Sequence, residues 1–260
     1  MTTQESTPAR PEEEWLEILE SMLETWESRR PEIKNDSTAD VNQLLTVFGL
    51  AANAHRLGRA ALTLFRAGLH SESIPTVRAI YEHALTTQWL ALHAAGTTAL
   101  INEYGRNRAS TAKTLRQAGA ADMIKAAEHL ENDAWEKIPT DSDQQAKQFL
   151  ELCNDLEPAG SEAYFYYRLM SSLSHPTGQV VDEYLSDDPL TLHLEPKTDA
   201  LRGHWIFFTC VGILLCATAV DFLEDGNPRQ EELSKVGQTL GTPHMLRLSA
   251  KYYTRTGKTP

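Results

Sequence analysis

Cysteine is scarce in this chain, and its three copies, Cys153, Cys210 and Cys216, form no Cys-x-x-Cys pair. An odd number without that spacing argues against a disulfide framework and a zinc ribbon, so the thiols are expected to be small buried side chains in a reducing compartment. Positive charge is also in short supply: 24 Lys and Arg stand against 36 Asp and Glu, a formal net charge of −12. Such a body repels nucleic acid and anionic membrane at long range, so no DNA partner is expected and any RNA contact needs a local basic patch. Several catalytic signatures are absent. Neither Gly-x-Gly-x-x-Gly, nor a phosphate loop, nor His-Glu-x-x-His occurs, which removes the usual dinucleotide, nucleotide and zinc-protease motifs. Gly-x-Ser-x-Gly and Glu-x-x-His are missing too, and with them the serine elbow and the ligands of a bundle di-iron site. No cofactor and no metal is expected. The longest apolar stretch, Trp205 to Val220, is shorter than a membrane span and is closed by Asp221, so it reads as a buried central helix. The opening, Met1 to Glu14, is polar and acidic, unlike a signal peptide. A cytoplasmic protein without membrane contact is the expectation.

What is present is helical period. Hydrophobic residues make up 41% of the 260 positions and charged residues 23%, a globular balance. From Pro11 to Arg30, Trp15, Leu16, Leu19, Met22, Leu23 and Trp26 draw an amphipathic helix, packed outside the core or against a second copy. From about Asp40 to Gly68, Leu44, Phe48, Ala51, His55, Gly58, Leu62 and Phe65 form one stripe. Gly68 caps that helix, and a second runs from Ser71 or Ser73, with Pro75 in its first turn, to about Ala95. The short link predicts an antiparallel pair. Residues 97–135 read as less apolar helix broken at Gly105 and Gly119, 143–155 as a short helix, and 161–174 as an aromatic-rich one. Residues 199–224 form the most apolar helix of all. The fold class is therefore all-α, a helical bundle with long antiparallel core helices. Its organisation reads as a polar leader with the N-terminal amphipathic helix over 1–38, a core domain over 39–226, and a short helix with a basic tail over 227–260.

The segment from Tyr164 to Gly178 carries the most chemistry. At about 100° per residue, Tyr164, Arg168, Ser171 and His175 share one face, with Ser174 beside them. An imidazole moves protons near neutral pH and a guanidinium holds a phosphate through two parallel bonds. Together they suffice for metal-free cleavage of RNA through its 2′-hydroxyl. The alternative is a helix end in which His175 bonds a carbonyl or serine and Arg168 pairs with an acid. Arg78 and Glu82 sit one turn apart beside an apolar stripe, in the weaker orientation for a helical ion pair. They are expected either to reach a third group, such as His55, Tyr164 or Arg168, or to form a satisfied buried pair. His55 reads as a hydrogen-bonded core histidine or as one member of that cluster.

Arg168, six intervening residues and His175 match the Arg-x(4–6)-His motif, and the segment resembles the HEPN superfamily on that ground. These are helical bundles, many of them metal-independent ribonucleases of toxin and phage-defence systems. The run from Arg66 to Glu82, holding Arg78-x-x-x-Glu82, and the later Ser172-x-x-His175 also resemble an uncharacterised bacterial helical family over about residues 40–225. The resemblance implies Arg168 and His175 as catalytic residues, with His55, Arg78, Glu82, Tyr164, Ser171 and Ser174 binding or supporting. It also implies RNA as substrate, a homodimer, and a bacterial defence or stress setting. Leu169 stands where active members usually carry a polar residue. Two other readings stay open: a non-catalytic interaction or regulatory protein using Trp15 and Trp26 to bind its partner, and a small-molecule bundle with Arg78, Glu82 and His175 around a pocket.

Overall fold

The computed structural model describes residues 12–28, 41–132, 136–158, 160–187, 189–197 and 201–259. The polar leader, the loop expected over 31–38 and the cap expected at Thr198 or Asp199 lie outside them. Twelve helices and two tiny antiparallel strand pairs make up the described chain. Helix α1 covers Glu12–Ser28, α2 Val41–Arg66 and α3 His70–Leu92. Helix α4 covers Ala95–Ala118 and α5 Ala121–Asn132. Short helices α6 (Asp143–Lys147) and α7 (Phe149–Asn154) precede strand β1 (Leu156–Glu157) and α8 (Gly160–Ser174). Then come α9 (Gly178–Asp182), β2 (Leu185–Asp187), β3 (Leu190–Leu192) and the central α10 (Arg202–Leu223). Helix α11 (Gln230–Leu240), β4 (Arg247–Leu248) and α12 (Ala250–Thr256) end the fold.

The α2–α3 pair forms as the periodicity predicts. Gly68 adopts φ +77°, and the amides of Gly68 and Leu69 bond the carbonyls of Phe65 and Leu64, closing α2. Helix α3 starts earlier than expected, at His70, with no side-chain cap, so Pro75 lies in its second turn. The core sits where α2, α3 and α10 meet, with α1 and α11 against α10 and α8 against α3. Two glycines set those distances. A Cβ on Gly212 would lie 2.7 Å from Ile80 Cγ2, and one on Gly58 3.0 Å from both Ile213 Cδ1 and Leu23 Cδ2.

Several expectations need correction. Helix α1 is not peripheral: Leu19 and Leu23 are sealed against α2 and α10, so its apolar face is covered within the chain. Trp15 packs edge-on against Phe207, and Trp26 stacks on Phe48 and His55, so neither tryptophan stands free as a docking group. Helix α4 runs straight through Gly105, and only Gly119, at φ +75°, ends it. The expected 143–155 helix divides at Gln148, which is extended. The basic tail, for which the sequence favours a solvated segment, is docked on the bundle, with Tyr252 buried. Helix α10 is longer than its charge-free core, and Gly203–Leu223 has the length and composition of a membrane span. It is mostly buried among the other helices. The three thiols are free and buried; desolvation pushes Cys153 and Cys216 up to about 12 and Cys210 higher, so none is a nucleophile near neutral pH.

Candidate functional site

Helix α8 divides its residues sharply by face. Ala163 and Met170 are buried against the bundle, while Arg168 and His175 are exposed. Seven residues of ideal helix turn through nearly two whole turns and rise about 10 Å, so Arg168 stands about two turns before the helix end at which His175 leaves α8. Neither side chain makes a hydrogen bond, ion pair or ring contact with another described residue. Phe165, one turn before Arg168, is 62% exposed, and Tyr166 is 38% exposed. The fold therefore leaves the Arg168 guanidinium, the His175 imidazole and the Phe165 ring open, while Tyr166 turns to the other side and packs on Phe208. His175 lies just past the last helical residue, and Pro176 beside it cannot continue the helix.

The other expected residues separate into distinct places. Arg78 and Glu82 do meet a third group, on the flank of α8. Arg78 Nε donates to Ser171 Oγ at 2.8 Å and Nη2 to Tyr167 Oη at 2.7 Å, with its guanidinium 4.7 Å from the Tyr167 ring centroid. Glu82 completes the group at 3.4 Å from Arg78. This half-buried knot ties α3 to α8, and Tyr167, its main acceptor, was not singled out by the sequence because it lies off the Arg168 stripe. Tyr164 stacks on Tyr167, and Ser174 Oγ donates to the Met170 carbonyl. Ser171 and Tyr164 therefore border the open face, while Ser174 satisfies its own helix.

His55 and Arg168 do not join that knot, which overturns the expectation of one polar cluster. His55 lies on the far side of the bundle, 3% exposed, with its ring stacked on Trp26 at 3.9 Å. Nδ1 bonds the Ala51 carbonyl at 2.7 Å and Nε2 meets no partner. Burial pushes its pKa down to about 4. It is a core histidine. Nor do Arg78, Glu82 and His175 ring a central pocket, because Arg78 is engaged by Ser171 and Tyr167 and His175 is exposed at the surface.

A second polar network carries no sequence signal, because its members are scattered along the chain. His93, 2% exposed, bonds Ser142 Oγ at 2.8 Å through Nε2 and Tyr252 Oη at 3.0 Å through Nδ1. Arg255 donates to Asp155 Oδ2 at 2.5 Å, and Trp89 Nε1 donates to the same oxygen at 3.2 Å. Ser142 is fully buried, so this serine and histidine have no route to a substrate. The network fastens α12 to α3 and the α6–α7 segment.

A cleft of about 620 Å³ opens between α4, α5 and the 137–147 segment. Most of its charges are matched: Arg106 pairs with Glu103 and Lys137 with Asp143, while the lining Glu131 is held by Arg116. Among the described residues, no group of three or more His, Cys, Asp or Glu could hold a metal ion.

Residues 44–190 match the model of one family, described as a family of unknown function, DUF5677. Comparison with curated proteins found no match, and comparison with solved structures found none. The matched span runs from the first turn of α2 to the start of β3 and holds every candidate site residue, His55 through His175. It covers more than half of the chain, which therefore belongs to the DUF5677 family.

Proposed function

We propose that the open face of α8 binds RNA and cleaves it without metal, in a HEPN-like helical protein of a bacterial defence or stress system. One observation carries this reading: Arg168 on α8 and His175 just past its end are both exposed, and neither side chain is bonded to another described residue. Water satisfies both side chains at this surface, so each is free to meet a ligand without giving up a contact within the bundle. In the reaction, His175 takes the proton of a ribose 2′-hydroxyl, whose oxygen attacks the adjacent phosphorus. The bond to the 5′-oxygen breaks, the leaving oxygen takes up a proton, and a 2′,3′-cyclic phosphate remains. Arg168 holds the phosphate oxygens as charge builds on them.

The separation of about 10 Å along α8 allows two arrangements. Either the two side chains lean together over Ser171 and Ser172, or two copies pair α8 antiparallel and set Arg168 of one beside His175 of the other. The second is the homodimer that the resemblance implies. Phe165 supplies a stacking surface of the kind that holds unpaired bases. The net charge of −12 makes binding weak and strongly salt-dependent, and disfavours duplex DNA. The same reading places the protein in the cytoplasm, where such a substrate is found.

The test is cleavage of a short single-stranded RNA, with product ends read by mass spectrometry. His175→Ala and Arg168→Ala are expected to lose about 10²–10⁴-fold in rate, Arg168→Lys to recover part of it, and EDTA to have no effect. Because both side chains are exposed, the stability of each variant should stay within about 0.5 kcal/mol of wild type. An inert wild type, or a His175→Ala variant that cleaves at the wild-type rate, sinks the proposal.

A further inference from the structure

Strands β2 and β3 pair as Leu185 with Leu192, Ser186 with Thr191 and Asp187 with Leu190. Paired residues and alternate positions share a face. One side of the ribbon is therefore polar, where Ser186 Oγ meets His193 Nε2 at 2.8 Å. The other carries the leucines. Leu190 is 75% exposed, Leu192 78% and Leu194 101%. The ribbon is held at its base by the His193 amide on the Tyr184 carbonyl and the Lys197 amide on the Glu183 carbonyl. None of these bonds uses a leucine side chain. A two-stranded ribbon with an uncovered apolar face is marginal in water, and such a patch marks a surface meant to be covered.

Charge indicates what covers it. Asp182, Asp187 and Glu195 are exposed, and none pairs with a described cation. Asp187 lies on the leucine side, opposite Leu190. At the base of the ribbon, Glu183 and Glu72 line a cleft of about 160 Å³ walled by Trp205 and Leu173, and neither carboxylate pairs with a described cation. Lys197 is the only lysine or arginine between residues 181 and 197. A two-fold pairing of copies would set this acidic patch against itself, and an anionic membrane would repel it.

We propose that the leucine face of the β2–β3 ribbon docks an apolar segment of a different protein, one flanked by lysine or arginine. The partner's apolar side chains cover Leu190, Leu192 and Leu194. Its basic side chains meet Asp187 and Glu195, and one enters the cleft beside Glu72 and Glu183.

Two short labelled peptides of the same pattern, one of leucine and lysine and one of leucine and glutamate, serve as probes in fluorescence anisotropy. The full chain is expected to bind the lysine peptide saturably and the glutamate peptide not at all. Replacing Leu190, Leu192 and Leu194 together by serine should weaken that binding at least about tenfold, with the melting temperature and circular dichroism unchanged. Asp182→Asn, Asp187→Asn and Glu195→Gln together should weaken it and flatten its salt dependence. Equal binding of the two peptides overturns the proposal, as does undiminished binding by the serine variant. A melting temperature several degrees lower in that variant would place the leucines in the chain's own packing and also overturn it. A wild-type dimer in light scattering that the serine variant dissociates would make a second copy the occupant instead.

Discussion

A histidine sealed against Trp26 pays for its position in protonation, and the two buried imidazoles give this fold an acid limit. Burial pushes His55 and His93 each down to about 4 from an ordinary value of 6.5. Because the folded values lie below the unfolded one, the stability these rings lend is complete above pH 6.5. It is lost as the pH falls from there towards 4. For His55 alone the displacement corresponds to on the order of 3 kcal/mol. The melting temperature is therefore expected to fall steeply between pH 6.5 and 4, and His55→Leu should remove part of that slope. An equally steep slope in the variant would mean that His55 is neutral for reasons unrelated to folding. At this scale the sequence separated residue types well but not their fates. His55 on its apolar stripe was legible as a core histidine. Whether Arg168 would be paired or open was not, since that depends on what faces α8 across space.

Helices approach closely here where a glycine faces a large apolar side chain, as at the α3–α10 crossing. The Cβ of Gly212→Ala would stand 2.7 Å from Ile80 Cγ2, a side chain that is itself fully buried. Overpacking of that kind costs about 1–3 kcal/mol, and the loss should be visible in urea unfolding. Gly203→Ala, in the first turn of the same helix, meets nothing within 4 Å. It should be neutral or stabilise by up to about 1 kcal/mol, the helix-propensity difference. Equal behaviour of the two variants would show that the crossing is loose. The existence and period of α1, α2, α3, α8 and α10 were readable from their apolar stripes. Boundaries were less so: α3 begins at His70 without a capping side chain, and α4 absorbs Gly105, because neighbouring contacts outweigh local preference.

Across the whole molecule, distant segments are locked by a few buried polar contacts. Asp155, 2% exposed, takes Arg255 and Trp89, and the neighbouring Ser249 amide donates to its carbonyl at 2.9 Å. Arg255→Ala would leave that carboxylate buried with only the indole opposite it, a loss of about 3 kcal/mol. Hydrogen exchange should quicken first in α12 and around His93, before α2 and α10. Uniform exchange throughout the bundle would show that α12 is not separately fastened. The same long-range logic turns the Arg78 knot inward to Tyr167 and Ser171, leaving Arg168 and His175 outside it.

The amino-acid pattern alone determined an all-helical bundle, its central apolar helix and the antiparallel α2–α3 pair, because 3.6-residue periodicity and a glycine-closed link are local properties. It also placed Arg168 and His175 on one helix face, which follows from helix geometry. Only the tertiary structure decided which polar residues meet. His55, Arg78, Glu82 and Arg168 were expected in one cluster and occupy three environments, since rotation of each helix about its axis is set by packing against its neighbours. The His93–Tyr252 contact and the bare leucine face of the β2–β3 ribbon belong to that same class of fact. Both depend on which surfaces are covered, and coverage is a property of the assembled core rather than of any segment within it.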